Sequence, residues 1–290
     1  MKDYLVTVIV PAYNHEKYVV ECLESIYNQT YHGFQWIVVD DFSKDRTPEI
    51  LKKYKERYGY ELILHDRNWG LSKTLTDTVK TYARGDYLVL CASDDVLLPN
   101  KIESQLKFLQ ENPQYGMCYS RSIPINEASI EMPYKKYFKY KSGFIFKEIL
   151  CREFSIGIDT MYKLEALKDV GYWESNIIAE DYYLYSKLAQ KYQIGFLDMY
   201  LYKYRITELS SKRDPWELVS SHKQTVDLFR NTDVYSNAIQ AWEIKSSLII
   251  ASYKKYKIRA AKLFVKNLCH FISNPHDLMR IIKYLLYKWK

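Results

Sequence analysis

Alternation of short apolar runs with helix-length amphipathic segments predicts an α/β fold with a mostly parallel sheet, followed by a helical C-terminal extension. Three observations carry this expectation. Four apolar runs, at 5–10, 36–39, 61–64 and 87–91, are separated by segments with helical periodicity. Two of them lead into paired carboxylates, Asp40-Asp41 and Asp94-Asp95, and open α/β sheets bind ligands outside the carboxyl ends of their strands. From Pro215 onward the pattern is helical throughout.

The run at 5–10 is too short for the apolar core of a signal peptide and reads as a first strand. Residues 17–28 follow as a helix, with Val20, Leu23, Ile26 and Tyr27 at helical spacing. After the strand at 36–39, Thr47 and Pro48 predict a helix start, Thr as N-cap and Pro in the first turn. Residues 61–64 form a third strand, 71–82 a helix closed by Gly85, and 87–91 a fourth strand, after which Pro99 opens another helix. Residues 120–142 are polar, aromatic and turn-rich, and read as a long excursion. Residues 144–151 look helical. Residues 180–191 form an amphipathic helix with Tyr183, Leu184 and Leu188 on one side, and 194–197 and 200–204 read as two short strands. The expected division is 1–211 as one α/β domain and 212–290 as a basic helical extension.

The net charge of +7 is uneven. Residues 254–290 hold ten Lys/Arg and one acid, Asp277, which leaves the first 253 residues at −2. The 29 tyrosines often sit beside lysines, a pattern read as compositional bias rather than nucleic-acid binding. Five scattered cysteines with no CxxC pair argue against a zinc site or disulfide framework. A reducing, cytoplasmic setting is expected. No run approaches the ~18 apolar residues of a membrane span. There is no GxxxxGK[ST], no GxGxxG and no HExxH.

Two adjacent carboxylates repel each other unless a cation or hydroxyl network lies between them. Ser93-Asp94-Asp95 therefore predicts a divalent cation and, through it, a phosphorylated substrate. A third pair, Glu180-Asp181, opens a helix. There, like-charge proximity would raise the Asp181 pKa toward a range useful for a general base. The plainer reading is an N-terminal helix charge pair.

The order of motifs then becomes specific. Val8-Ile9-Val10-Pro11-Ala12-Tyr13-Asn14, Ser25-Ile26-Tyr27-Asn28-Gln29-Thr30 and Ile37-Val38-Val39-Asp40-Asp41-Phe42-Ser43 through Thr47 resemble the N-terminal signature of family 2 glycosyltransferases. Asn68-Trp69-Gly70-Leu71, Gly85-Asp86-Tyr87 through Asp94-Asp95 to Pro99, Gly171-Tyr172-Trp173, Glu180-Asp181-Tyr182 and Tyr204-Arg205 continue it in order. The resemblance spans residues 4–211. It implies a GT-A fold, in which a Rossmann-like nucleotide-binding half and an acceptor half share one mixed sheet. It also implies inverting transfer from a nucleotide sugar, UDP being favoured, to a saccharide acceptor, with Mn²⁺ or Mg²⁺; a lipid-linked acceptor is the form that a membrane-docked tail would meet.

By the same resemblance, Pro11, Ala12, Tyr13 and Asn14 would frame the base and ribose. Asp41 would accept from the uracil imide, with Arg67 and Asn68 near the base. Ser93, Asp94 and Asp95 would divide ribose and metal contacts. Asp181, beside Glu180, would be the general base, and Trp173 would lie on the acceptor side. Arg205, with Ser210 and Ser211 on a candidate lid, would touch the diphosphate.

The chain departs from the pattern twice. Ala92 stands where many relatives have another Asp, and Ile206-Thr207 follows Arg205 where a histidine is frequent. The alternatives are a sugar-nucleotide-binding or scaffold protein that has lost catalysis, and nucleotidylyl transfer, although 11–17 lacks the glycine-rich loop that chemistry uses.

Leu278, Ile281, Ile282, Leu285, Leu286 and Trp289 form one helical stripe, with Arg280, Lys283, Lys288 and Lys290 off it. One expectation is docking on an anionic inner leaflet, where each basic residue near the surface contributes about 1 kcal/mol. The other is an apolar face packed on the protein itself or on a second copy in a homodimer.

Overall fold

A computed structural model describes residues 5–133, 139–154, 156–207 and 214–286. The chain runs β1 (Val6–Ala12), α1 (Val19–Tyr27), β2 (Gln35–Asp40), α2 (Thr47–Tyr58), β3 (Glu61–Leu64), α3 (Leu71–Tyr82), β4 (Tyr87–Leu90), β5 (Val96–Leu97), α4 (Lys101–Glu111) and β6 (Tyr115–Ile125). It continues with α5 (Phe146–Leu150), β7 (Thr160–Lys163), α6 (Leu164–Val170), α7 (Glu180–Lys191) and β8 (Gln193–Arg205). Five helices follow: α8 (Pro215–Leu228), α9 (Tyr235–Ile250), α10 (Lys257–Lys266), α11 (Leu268–Ser273) and α12 (Pro275–Leu286).

The chain divides into two compact units. One comprises residues 1–145, 155–176 and 187–210; the other comprises 146–154, 177–186 and 211–290. A single boundary at 211/212 does not anticipate the return of 146–154 and 177–186 to the second unit.

The first unit holds one eight-stranded mixed sheet in the order β3-β2-β1-β4-β7-β6-β8-β5. β1 pairs in parallel with both β2 and β4, and β2 with β3. The antiparallel pairs are β4–β7, β6–β7 and β5–β8. β1 and β2 are buried along almost their whole length, as strands covered on both faces must be. Val19, Cys22, Leu23 and Ile26 form the buried stripe of α1. They join Val8, Val10, Val38 and Val89 in the main core cluster.

Several elements differ from the sequence expectation. Thr47 does not cap α2 with its own side chain. Its hydroxyl accepts the His15 N–H, while Asp45 accepts the N–H of Thr47. Gly85 does not close α3, whose C-cap is Ala83. A Cβ at Gly85 would lie 2.7 Å from the Thr7 nitrogen, so this glycine permits the backbone to approach β1. Residues 120–125 are not excursion but belong to β6. Their partner β8 is one strand rather than two, with the pairing passing from Tyr119↔Phe196 to Arg121↔Tyr200 across an irregularity. The apparent break at Asp198-Met199 is a bulge, which interrupts the period-2 pattern without ending the strand. Residues 134–138 of the excursion lie outside the described residues.

The second unit is helical. Val219 of α8, Ile244 and Leu248 of α9, Ala260 of α10, Phe271 of α11 and Ile281 of α12 share one core cluster. Leu278, Tyr284 and Leu285 pack against it. Part of the amphipathic stripe is therefore used inside the unit, while Met279, Ile282 and Leu286 remain exposed; Trp289 lies outside the described residues. Among the described residues no helix is long and apolar enough to cross a membrane. The five cysteines are free, and four of them are buried.

Candidate active site

The strand order reverses between β1 and β4, which makes the gap beyond their carboxyl ends the switch point of the sheet. The loops there are bonded to each other. Asn14, in a left-handed conformation with φ +56°, donates its N–H to the Ser43 hydroxyl and accepts the Lys44 N–H on Oδ1. Ser43 is in turn fixed by Asp40, which accepts both its N–H and its hydroxyl. Phe42 is also left-handed, with φ +66°, and the Lys44 ammonium sits 3.2 Å from its ring centroid. Such a backbone costs a residue with a Cβ roughly 1–2 kcal/mol. The Asp40 bonds and the Lys44 contact are what offset it. Tyr13 is exposed at the tip of the loop, between the buried Ala12 and partly buried Asn14, with Pro11 also partly buried.

Asp41 is buried, and its carboxylate accepts three donors from the chain itself. These are Nδ1 of His65 at 2.9 Å, the Trp69 N–H at 2.8 Å and the Gly70 N–H at 2.9 Å. His65 stacks on Trp69 with centroids 4.1 Å apart. Asp41 therefore shapes the 65–70 loop, which carries Arg67 and Asn68 into solvent. Asn68 also accepts the Gly70 N–H.

The paired carboxylates after β4 differ from each other. Asp95 is fully buried; its Oδ2 accepts the Tyr202 hydroxyl at 2.8 Å and its Oδ1 the Arg205 N–H at 2.7 Å. Burial and then the Asp94 charge push its pKa well up, against the pull of those two donors. Asp94 is partly exposed, and no hydrogen bond among the described residues reaches its carboxylate. His15 places its Nδ1 3.6 Å from the Asp94 Oδ1. The same Nδ1 lies 2.8 Å from the buried Ser93 hydroxyl. Of the pair, Asp95 ties the turn to β8 and Asp94 faces outward.

The expectation that Arg205 reaches a diphosphate needs correction. Its side chain has no solvent exposure. Four of its five N–H groups are taken: Nε by the Asp94 carbonyl, Nη1 by the Asn126 carbonyl and the Ser129 hydroxyl, and Nη2 by Glu21 at 2.6 Å. Its plane lies over the Tyr18 ring at 4.7 Å. A guanidinium so enclosed holds the Asp94-Asp95 turn in place and has no donors facing solvent. Ser210 and Ser211 lie outside the described residues. Trp173 is buried, its carbonyl accepting the Thr76 hydroxyl and its ring set edge-on to Tyr162. A cavity of about 650 Å³ lies at the other end of β4, lined by Asp86, Tyr87, Lys163 and Tyr172 among others, away from these carboxylates.

In the second unit, Glu180 and Asp181 form the first turn of α7. Burial first, then the Glu180 charge, raises the Asp181 pKa to about 7. Desolvation disfavours the carboxylate and a like charge adds to it. That places the group where a side chain accepts and releases protons near neutrality.

Sequence reading missed His15, Glu21, His65 and Tyr202. Lone histidines carry no spacing signal. Glu21 reads as a solvated helix position, and Tyr202 is one of many tyrosines. Only the proximity of Tyr202 to Tyr204-Arg205 marks it.

A residue group fit for a divalent cation need not be large, since Mg²⁺-type ions take one or two carboxylates and complete their shell with substrate phosphates and water. Among the described residues no three His, Cys, Asp or Glu converge as a metal cage. The outward Asp94, beside the inward Asp95, fits the one-carboxylate form.

Comparison with known proteins gives the same frame. The model of glycosyl transferase family 2 matches residues 7–171. An uncharacterized glycosyltransferase of Methanocaldococcus jannaschii is 28% identical over 250 residues, covering 84% of this chain and 86% of that one. One of Rickettsia felis is 28% identical over 98% of this chain, which spans only 46% of its length. Among solved structures, residues 1–349 of S. aureus TarS in complex with UDP-GlcNAc superpose with TM-score 0.68 at 21% identity, over 97% of this chain and 81% of that one. The mannosyltransferase PcManGT from Pyrobaculum calidifontis, in complex with GDP-Man and Mn²⁺, gives TM-score 0.57 at 17% identity, over 98% and 87%. The fold is GT-A, with a mixed sheet and C-terminal helices, and the chain belongs to glycosyl transferase family 2.

Proposed function

We propose that the protein moves a hexosyl or N-acetylhexosaminyl group, with inversion, from a UDP-sugar to a saccharide hydroxyl in the synthesis of a bacterial surface polysaccharide, lipopolysaccharide or glycoprotein glycan. The observation that carries this reading is the outward carboxylate of Asp94 at the switch point of the sheet, held by a turn whose other carboxylate is turned inward. The nucleotide would lie against Pro11 to Asn14 and the loop that Asp41 shapes, with Arg67 and Asn68 beside the base and Ser93 with Asp94 at the ribose. TarS bound to UDP-GlcNAc and PcManGT bound to GDP-Man and Mn²⁺ support a nucleotide-sugar donor and a divalent cation for this fold. Mn²⁺ or Mg²⁺ at Asp94 would offset the charge that develops on a departing diphosphate; Asp95 would act on it through the position of Asp94.

Asp181 is the base of this reading. Inversion needs one group to take the proton from the acceptor hydroxyl as its oxygen forms a bond to C1 and the C1–O bond to the diphosphate breaks. A carboxyl with a pKa of about 7 is half ionised at neutral pH and is a stronger base than an ordinary aspartate. Glu180 contributes by its charge. Trp173 would support the acceptor side. Contact with the inner membrane leaflet, where a lipid-linked acceptor would be presented, is part of the same proposal. It rests on exposed Ile258, Met279, Ile282 and Leu286 among the cations of 254–290; dimerisation through these helices would use the same faces.

A thermal-shift screen of UDP- and GDP-sugars with and without Mn²⁺ tests the donor, because a ligand that binds only the folded state stabilises it by its binding free energy. A shift with a UDP-sugar that grows with Mn²⁺ and vanishes in Asp94→Asn is expected. No shift with any UDP-sugar overturns the donor assignment. A shift without turnover favours a binding protein that has lost catalysis.

A further inference from the structure

In the helical unit, Arg152 and Lys245 are partly buried cations that no carboxylate pairs with among the described residues. Arg152 follows α5 in a left-handed turn, with φ +53°. Its N–H donates to the Ile149 carbonyl at 2.8 Å. The ammonium of Lys245, from α9, donates to the carbonyls of both Cys151 and Arg152, so the lysine holds this strained turn closed. The Arg152 charge is near enough to act on the Lys245 ammonium. The lysine ion pairs of this unit, Lys223–Asp227, Lys255–Asp214 and Lys266–Glu243, involve neither group. Nη1 of Arg152 is buried without a hydrogen-bond partner.

His222 of α8 adds a second orphan. Its side chain is more than nine-tenths buried and Nδ1 has no partner. The ring meets the Tyr182 ring edge-on at 5.1 Å, and the Tyr182 hydroxyl already donates to the Leu150 carbonyl. Burial and then the Arg152 charge push the imidazole down to about 3, so it is neutral. The same two causes push Lys245 down to about 8, with Cys151 and Glu153 offsetting part of it. A buried polar group without a partner carries its full desolvation penalty, and an unpaired buried charge costs more. A protein that keeps both in one place either tolerates the loss or recovers it by binding something.

We infer that Arg152, Lys245 and His222 form a binding site in the helical unit for a phosphate group, as a monoester, a diester or the free ion. The planar guanidinium takes tetrahedral oxyanions through two parallel N–H groups. Lys245 keeps one N–H beyond the two that hold the turn. The neutral imidazole presents Nδ1 either as a donor or as an acceptor for a phosphate hydroxyl. Three separate donors suit the three or more oxygens of a phosphate better than the two of a carboxylate. The site lies wholly within the helical unit and is independent of the glycosyl-transfer reading.

The test uses the full chain at constant ionic strength, balanced with chloride. Inorganic phosphate and glycerophosphoglycerol are titrated by calorimetry, and phenylglyoxal labelling of Arg152 is followed by peptide mass. Saturable binding of one or both is expected, with labelling of Arg152 slowed at least fivefold by saturating ligand while that of exposed Arg259 is unchanged. Arg152→Gln and Lys245→Gln should each weaken binding at least tenfold, and Asp94→Asn should leave it intact. Tighter phosphate binding identifies the free ion as the ligand, and tighter diester binding identifies an esterified one. Absence of protection at Arg152 in the wild-type protein by either compound overturns the site even if the variants fail to fold. Equal affinity in wild type and in a folded Arg152→Gln or Lys245→Gln does so as well.

Discussion

In the sheet unit the two fully buried cations among the described residues have acidic partners. Lys101 is bonded to Asp159, with Gln105 and Ser120 completing the cluster. Arg205 is bonded to Glu21 and to four further acceptors or hydroxyls if its main-chain N–H is counted. In the helical unit Arg152 and Lys245 share a turn with no carboxylate bonded to either among the described residues, and His222 is left with an open nitrogen. The same residue types therefore do different work. Buried charge in the sheet unit fixes the loops at the switch point, and removing one partner leaves the other stranded. Arg152 and Lys245 of the helical unit have no carboxylate partner among the described residues, so removing either strands no opposite charge.

The largest expected difference follows directly. Asp159→Ala strands the Lys101 ammonium and should cost about 3–5 kcal/mol in urea unfolding, the range for breaking a buried pair. Arg152→Gln, whose guanidinium has no carboxylate to strand, should cost less than about 1 kcal/mol. Similar losses in both units would erase the contrast.

A smaller effect separates the two adjacent carboxylates. Asp95→Asn replaces the acceptor of Tyr202 and Arg205 and should lower stability by about 1–3 kcal/mol. Asp94→Asn should leave the urea midpoint unchanged and weaken Mn²⁺-dependent donor binding at least tenfold. If Asp95→Asn is the stable variant and loses only metal dependence, then Asp95 holds the metal and Asp94 the turn.

Smaller again is Arg205→Lys. A lysine keeps the charge but cannot hold Asp94, Asn126, Ser129 and Glu21 together with one ammonium. A loss of about 1 kcal/mol or slightly more is expected, roughly the net worth of one or two hydrogen bonds. Donor KM should rise several-fold with little change in kcat, since the Asp94 turn is less well positioned. A kcat loss at unchanged KM would place Arg205 in the chemistry instead.

The α/β half was legible because buried parallel strands are continuous apolar runs and the motif order is specific. What stayed hidden was set by contacts distant in sequence. β7 and α6 are too short to show a period, and the β8 bulge disguised one strand as two. Asp94 and Asp95 are indistinguishable in sequence, since only Tyr202 and Arg205, more than a hundred residues away, decide which turns inward. By resemblance Arg205 reads as a diphosphate contact, whereas its side chain is enclosed and bonded to Glu21, Ser129 and two carbonyls. Arg152 and His222 gave no signal at all, because a buried nitrogen without a partner is recognised only in three dimensions.

Donor hydrolysis with the cognate nucleotide sugar across pH 5 to 9, in wild type and Asp181→Asn, puts the base to the sharpest test. The base must be ionised, so with a pKa near 7 the wild-type rate should rise with pH, reach half its plateau near pH 7 and fall about tenfold per unit below about pH 6. Asp181→Asn should bind donor normally and lose both the rate and the pH dependence. Equal hydrolysis in the two proteins, or a wild-type profile flat from pH 5 to 9, would contradict the assignment of Asp181 as the base.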